Sequence, residues 1–420
     1  MPDAPTDTDL RRYADLAIHV GVALREGQRL VVRAPLHAAP LARALARSAY
    51  AAGAPYVDVD WSDEEIAKIR FLEAPEGTFE ELPYGQAEAN LGRAERGDAF
   101  LSITGEDPEA LKDADPERIA TFRAAASAAN KPYRAYAMAD RIAWSVIAAP
   151  SPGWARKVFP DAGEDAPARL WRAIFAATRA DRDDPVAAWR EHVAELDRRA
   201  AVLEDARFDA LHFRGPGTDL RVGLADHHRW ASGGSTTPEG QTFVANMPTE
   251  EVFTAPHAHR VNGTVRASVP LSQGGHLIED FELRFEGGVA VAAHAAKGQE
   301  VLDRLLATDA GARRLGEVAL VSADSPIRDG APLFYNTLFD ENAASHVALG
   351  QGYRFCVHGG PDASDDAVAG WGLNDSLIHV DFMIGSAAMD VDGVHGDPEG
   401  DRDGDDGTRT PIMRAGRFVL

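Results

Sequence analysis

Four stretches in the second half of the chain set acidic or imidazole side chains directly against apolar residues. In Asn246-Met247-Pro248-Thr249-Glu250-Glu251-Val252-Phe253-Thr254-Ala255-Pro256 two glutamates are adjacent, so an extended backbone can aim only one of them inward. Leu315-Gly316-Glu317-Val318-Ala319-Leu320-Val321 puts a carboxylate at the mouth of an apolar strand. Leu338-Phe339-Asp340-Glu341-Asn342-Ala343-Ala344-Ser345-His346-Val347-Ala348-Leu349-Gly350-Gln351-Gly352-Tyr353 places acid, imidazole and phenol between small residues. In Ser376-Leu377-Ile378-His379-Val380-Asp381-Phe382-Met383-Ile384 the polar pair His379 and Asp381 shares one strand face, while Ile378, Val380 and Phe382 take the other.

Taken singly, each stretch has a plain structural role. His346 reads as a hydrogen-bonded core histidine, His379 and Asp381 as a pair ordering a sheet edge, and Tyr353 as a buried phenol with a satisfied hydroxyl. Together they supply two or three glutamates, one aspartate and two histidines, with no thiolate. Neutral imidazoles and hard carboxylates suit Zn, Co, Mn or Mg rather than a structural cysteine-type zinc site. Several carboxylates crowded together repel one another unless a cation lies between them. With enough of them to bridge, two divalent metal ions roughly 3.5–4 Å apart become the natural occupant.

The elements that must position these groups follow from periodicity. The first half alternates helix and strand. An amphipathic helix is expected over Leu10 to Leu24, strands at 29–34, 55–61 and 99–105, and helices at 40–52 and 116–129. Ala34-Pro35-Leu36-His37 stands where a glycine-rich phosphate loop would begin, so no nucleotide cofactor is expected there. Helices at 170–178 and 185–206 follow, and the character changes near Phe208 to short strands. An N-terminal α/β layer domain over 1–206 and a C-terminal α+β metal-binding domain over 207–420 are the expected organisation, with Leu377 to Ile384 as the last strand. Asn342 is expected to cap a short helix, Ala343 to Leu349, ended by Gly350.

The balance of 43 basic and 66 acidic residues, net −23, argues against nucleic acid or an anionic membrane as a partner. One cysteine, Cys356, sits in an apolar run and is expected as an inert buried thiol in a reducing, cytoplasmic setting. The start of the chain is acidic and lacks an apolar leader core. Gly396 to Thr408 is so rich in Asp and Gly that it is expected to be solvated and mobile. Asp401-Arg402-Asp403-Gly404-Asp405-Asp406-Gly407 departs from the EF-hand loop pattern, so calcium is not assigned to it. His257 and His259 are expected at the rim or surface, and His294, His358 and His395 without an acidic partner. Trp154, Trp171 and Trp189 are expected in helix packing.

The four stretches, with Val261-Asn262-Gly263-Thr264 after the first, resemble the thermophilic metallo-aminopeptidases of the aminopeptidase T and aminopeptidase S group in order and spacing. Similarity extends to Leu30-Val31-Val32-Arg33-Ala34-Pro35 and Pro152-Gly153-Trp154-Ala155, hence over essentially the whole chain. The resemblance implies a homodimeric, two-domain exopeptidase that uses two divalent metals, often cobalt or zinc, on short peptides. It implies Glu251, Glu317, His346, His379 and Asp381 as metal ligands, with Glu317 bridging. Glu251 is preferred to Glu250 for its separation from Glu317. Glu341 matches a further acidic position, either ligand or general base, and Tyr353 a tyrosine beside the site that would stabilise an oxyanion. The acidic segment Gly396 to Asp406 is longer than the family pattern. Two rivals remain. One is a ring-opening dioxygenase of dihydroxypyridines with one Glu, two His and one Asp around a single iron; the additional glutamates favour the peptidase. The other is a non-catalytic metal- or peptide-binding relative, whose mark would be a lost ligand, and none is lost.

Overall fold

The structure, a computed structural model, describes residues 4–82, 85–273, 276–330, 333–396 and 408–420. The chain divides into two compact units, Met1–Glu191 with Gly234–Pro248, and His192–Gly233 with Thr249–Leu420.

The first unit is built on a four-stranded parallel sheet in the order Val57–Ser62, Leu30–Pro35, Ala99–Thr104, Trp144–Ala148. Parallel neighbours need a crossover between them, and helix Ala39–Ala51 supplies the one joining the first two strands. Val31, Val32, Phe100 and Leu101 are buried, as strands covered on both faces require. The first helix is shorter than its apolar pattern suggests. It runs Asp7–Leu16, opened by a capping box between Thr6 and Asp9, and continues as a π-helical turn, Ala17–Gly21. Segment 234–248 returns to this unit, where the Val146 N–H donates to the Ala245 carbonyl at 2.8 Å and Gln241 Nε2 donates to the Val22 carbonyl at 3.0 Å. Trp154 and Trp189 are fully buried.

The second unit carries a nine-stranded sheet and a four-stranded antiparallel sheet in the order His379–Met383, His346–Gly350, Leu315–Val321, Glu251–Thr254. Two expectations are corrected here. First, Leu377 to Ile384 does not hold the last strand: Asp390–His395, Thr408–Arg414 and Arg417–Phe418 follow it. Aspartates, a glycine and a proline hide these strands from a propensity reading. Tertiary partners compensate, since the buried Asp392 accepts from Arg214 and Arg414 at 2.5 Å each.

Second, Ala343 to Leu349 is not a helix. A helix Thr337–Asp340 is capped by Asn336, a 3-10 turn spans Glu341–Ala343, and His346–Gly350 is a fully buried strand. Pairing on both sides, with Leu315–Val321 and His379–Met383, outweighs the helical leaning of its alanines and leucine. Gly350 has φ 105°, and a Cβ there would lie 2.1 Å from the Ile378 carbonyl oxygen.

The acidic stretch from Gly396 to Thr408, residues 401–407 included, lies outside the described residues apart from its two ends. Cys356 is buried. Among the described residues no helix is long and apolar enough to cross a membrane.

Candidate metal centre

The antiparallel four-stranded sheet has two unlike faces. Residues directly opposite across a ladder share a face, and alternate residues along a strand change face. Val252, Val318, Leu320, Val347, Leu349, Val380 and Phe382 fall on one side and join the core of the second unit. On the other side Glu317, Ala348 and Asp381 form one cross-strand row, and Ala319, His346 and Met383 the next. Glu251 pairs with Val321 at the adjoining edge. The small residues Ala319, Ala348 and Gly350 between the polar ones leave room above the sheet.

The polar face gathers two overlapping groups, Glu251–Glu317–His346 and Glu317–His379–Asp381, each with one donor atom per residue lying within 4.8 Å of the others. Glu317 belongs to both. His346 Nε2 is 3.1 Å from Glu251 Oε2 and 3.4 Å from Glu317 Oε1. His379 Nε2 is 3.7 Å from Glu317 Oε2 and 3.4 Å from Asp381 Oδ1. Each ring is oriented by its other nitrogen: His346 Nδ1 is 3.2 Å from the Ala344 carbonyl and His379 Nδ1 is 2.7 Å from the Gln351 carbonyl. A carbonyl only accepts, so Nδ1 carries the proton and Nε2 is left as a donor atom for a cation.

The electrostatics of this face call for positive charge. Burial, then the nearby Asp381 and Glu251, pushes the Glu317 carboxyl up to about 7. Burial, then Glu251 and Asp381, pushes Glu341 well above the carboxylate range. Burial works against protonated imidazole, yet the surrounding carboxylates outweigh it, holding His379 at about 9 and His346 well above its ordinary value. Burial raises the Tyr353 phenol as well, and the carboxylates of Glu317, Asp381 and Glu341 add to it. Glu251 Oε2 and Asp381 Oδ1 are buried without a hydrogen bond despite the facing rings. Two orphaned carboxylate oxygens and two imidazole nitrogens around a shared glutamate fit a divalent cation site of the N/O class.

Glu250 and Glu251 diverge, as adjacent residues of an extended segment must. Glu250 Oε1 is 3.6 Å from His192 Nε2, away from the cluster. Glu341 lines a cleft together with Asp381. The Tyr353 ring packs on His379, with centroids 4.5 Å apart.

Sequence reading missed the residues that hold the donors. Asn342 is fully buried; its Oδ1 accepts the Glu250 N–H at 2.8 Å, and its Nδ2 donates to the Leu338 carbonyl at 3.2 Å and to Glu341 Oε1 at 3.4 Å. It ties the start of the Glu251 strand to Glu341, and no local signal separates that role from helix capping. Gln351 Nε2 donates to the carbonyls of Gly352 and Asn374, steadying the backbone that orients His379. Two histidine expectations also change: His257, expected at the rim or surface, is buried, and His358, expected without an acidic partner, has its Nε2 2.7 Å from Glu204 Oε1.

Comparison with known proteins agrees with this geometry. Residues 6–418 match the family described as "Thermophilic metalloprotease (M29)". The chain is 48% identical over 415 residues to "Aminopeptidase 2" of Geobacillus stearothermophilus, covering 99% of this chain and 98% of that protein. It is 48% identical to "Aminopeptidase T" of Thermus thermophilus, covering 98% of each. The solved structure "Wild-type AmpT from Thermus thermophilus" superposes with a TM-score of 0.91 at 47% identity, covering 98% of this chain and 99% of that one.

Proposed function

Since the chain belongs to the thermophilic metalloprotease family, we propose that it is a metal-dependent aminopeptidase releasing N-terminal residues from short peptides. Its metal ligands in this reading are Glu251, Glu317, His346, His379 and Asp381, holding two divalent ions of the Zn, Co, Mn or Mg class. The observation that carries the reading is Glu317, whose carboxylate belongs to both donor groups and is therefore suited to bridge two cations. Bound there, the cations would supply Lewis acidity, the chemistry that makes water nucleophilic near neutral pH and polarises a carbonyl.

The chain's own residues account for the rest. Glu341, at the edge of the cluster and lining the adjacent cleft, accepts the proton of the attacking water as the C–O bond forms. It returns that proton to the departing amine nitrogen as the C–N bond breaks. Tyr353, braced against His379, donates its hydroxyl hydrogen to the oxyanion developing on the carbonyl. The free α-ammonium of the substrate is complementary to a site with more carboxylates than imidazoles. The ring-opening dioxygenase is not favoured, because the similar proteins carry aminopeptidase names.

A homodimer would give cover to large apolar side chains of the first unit that face solvent, Ile66, Ile69 and Leu72 of helix Glu64–Glu73 and Trp61 before it. Sedimentation checks it. The single cysteine, buried at 356, supports a cytoplasmic setting. Metal analysis of the purified chain paired with aminoacyl anilide hydrolysis tests the activity. Two ions per chain and metal-dependent release are expected. Undiminished turnover by Glu317→Gln at equal metal loading would overturn the scheme.

A further inference from the structure

A cleft opens beside the donor cluster; Asp381 of the cluster lines it, together with Glu341 at the cluster's edge. Its lining also includes the apolar Leu271 and Met383 and the turn 335–337. That turn is held by Asp340, a buried carboxyl that none of the roles above uses. One Asp340 oxygen accepts the Phe334 N–H at 2.6 Å and the other the Asn336 N–H at 3.0 Å. Between those anchors Tyr335 has φ 57°, the left-handed region that residues with large side chains rarely adopt. Asn336 accepts the Leu338 N–H at 3.1 Å and so joins the turn to the helix carrying Asp340. The carboxylate therefore clamps an uncommon backbone shape onto a residue that lines the cleft. Such conformations persist where the surroundings over-determine them, and they concentrate at ligand sites.

Asp340, Glu341 and Asp381 all line the cleft, and among the described lining residues none is Lys, Arg or His. Bound cations would neutralise Asp381, but an acidic ligand group would still meet Glu341 and Asp340 with no cationic side chain facing it. Because Asp381 of the donor cluster and the adjacent Glu341 both line the cleft, its occupant lies within about one residue of the carbonyl under attack. In an exopeptidase acting at the amino end, the nearest such group is the side chain on the α-carbon of the first residue.

We infer that this cleft receives the side chain of the substrate's N-terminal residue, with Tyr335 a specificity-determining residue and Asp340 a positioning residue for it. The inference rests on the aminopeptidase reading. Neutral and basic side chains enter, and aspartate and glutamate are turned away.

The test uses the full zinc-loaded chain, anilides of alanine, leucine, phenylalanine and aspartate, and calorimetric binding of free leucine and free aspartate. Wild type should bind leucine over aspartate and hydrolyse the leucyl anilide at least about tenfold better than the aspartyl one. Tyr335→Gly relieves the backbone constraint and removes the ring. With zinc content unchanged, it should alter the phenylalanine-to-alanine ratio of kcat/KM by about tenfold, mainly through KM. Asp340→Asn should raise KM most for the bulkier side chains and least for alanine. If Tyr335→Gly rescales every substrate by one factor, or if wild type takes aspartate as well as leucine, the cleft assignment is overturned. Zinc-loaded wild type that binds leucine selectively yet releases no N-terminal residue would support the cleft and sink the aminopeptidase reading instead.

Discussion

The parallel sheet of the first unit and the smaller antiparallel sheet of the second have four strands each but use burial differently. In the parallel sheet Val31, Val32, Phe100 and Leu101 are buried at consecutive positions, and the carboxylates of the strand Val57–Ser62, Asp58 and Asp60, already have a counterion in the side chain of Arg93. In the antiparallel sheet Val252, Leu320, Val347 and Phe382 fill one face, while Glu251, Glu317, His346 and Asp381 desolvate charge on the other. Apolar burial is favourable whatever the solution contains. Several carboxylates buried together repel one another unless something positive joins them. The comparison teaches that one unit neutralises its charges with its own side chains, whereas the other gathers carboxylates that, in the proposed reading, cations would neutralise.

The strongest way to break that contrast is to remove the shared donor. Glu317→Gln should weaken retention of the cations and, even when reloaded with excess metal, lower kcat/KM by about a thousandfold or more, read by metal analysis and anilide turnover. Core truncation should not distinguish the sheets in stability but should in metal retention. Phe382→Ala and Phe100→Ala are each expected to cost about 3–5 kcal/mol in denaturant unfolding. Only Phe382→Ala, on the apolar face of a ligand-bearing strand, should also speed metal loss. Chelation should lower the stability of the second unit by about 4 kcal/mol for each ion held at about a thousand times Kd. Hydrogen exchange then reports the difference: amides of His346–Gly350 lose protection and those of Leu30–Pro35 keep it. Equal loss in both strands would erase the contrast.

Asn342→Ala should cost about 1–3 kcal/mol, because it leaves the buried Glu250 N–H without an acceptor, and should weaken metal binding without abolishing turnover. The smallest effect belongs to Glu250→Gln, whose carboxylate faces His192. Metal content should stay within about twofold of wild type, whereas Glu251→Gln should lower it by about 10–100-fold, by analogy with lost metal-site contacts.

Parts of this were legible in the residues. Alternation in Ser376 to Ile384 places His379 and Asp381 on one face, and the structure has them so. The helix–strand order of the first half likewise emerges as a parallel layer. Other parts were not legible. The His346 strand reads locally as a capped helix, and it is extended because partners on both sides pair with it. The strands after residue 389 are masked by Asp, Gly and Pro, and they depend on Arg214 and Arg414 reaching Asp392. Asn342 and Gln351 look like turn residues because they reach the backbone of other segments, at Glu250 and Asn374.

By itself the sequence determined the donor chemistry, imidazole and carboxylate without thiolate, and the two-residue alternation that separates polar from apolar along each strand. Tertiary structure decided which donors meet. A period of two fixes the face of each residue but carries no information about which residue of a distant strand lies opposite. That register, Glu317 beside Ala348 and Asp381 with His346 one row on, is set by hydrogen-bonded pairing between segments far apart in the chain.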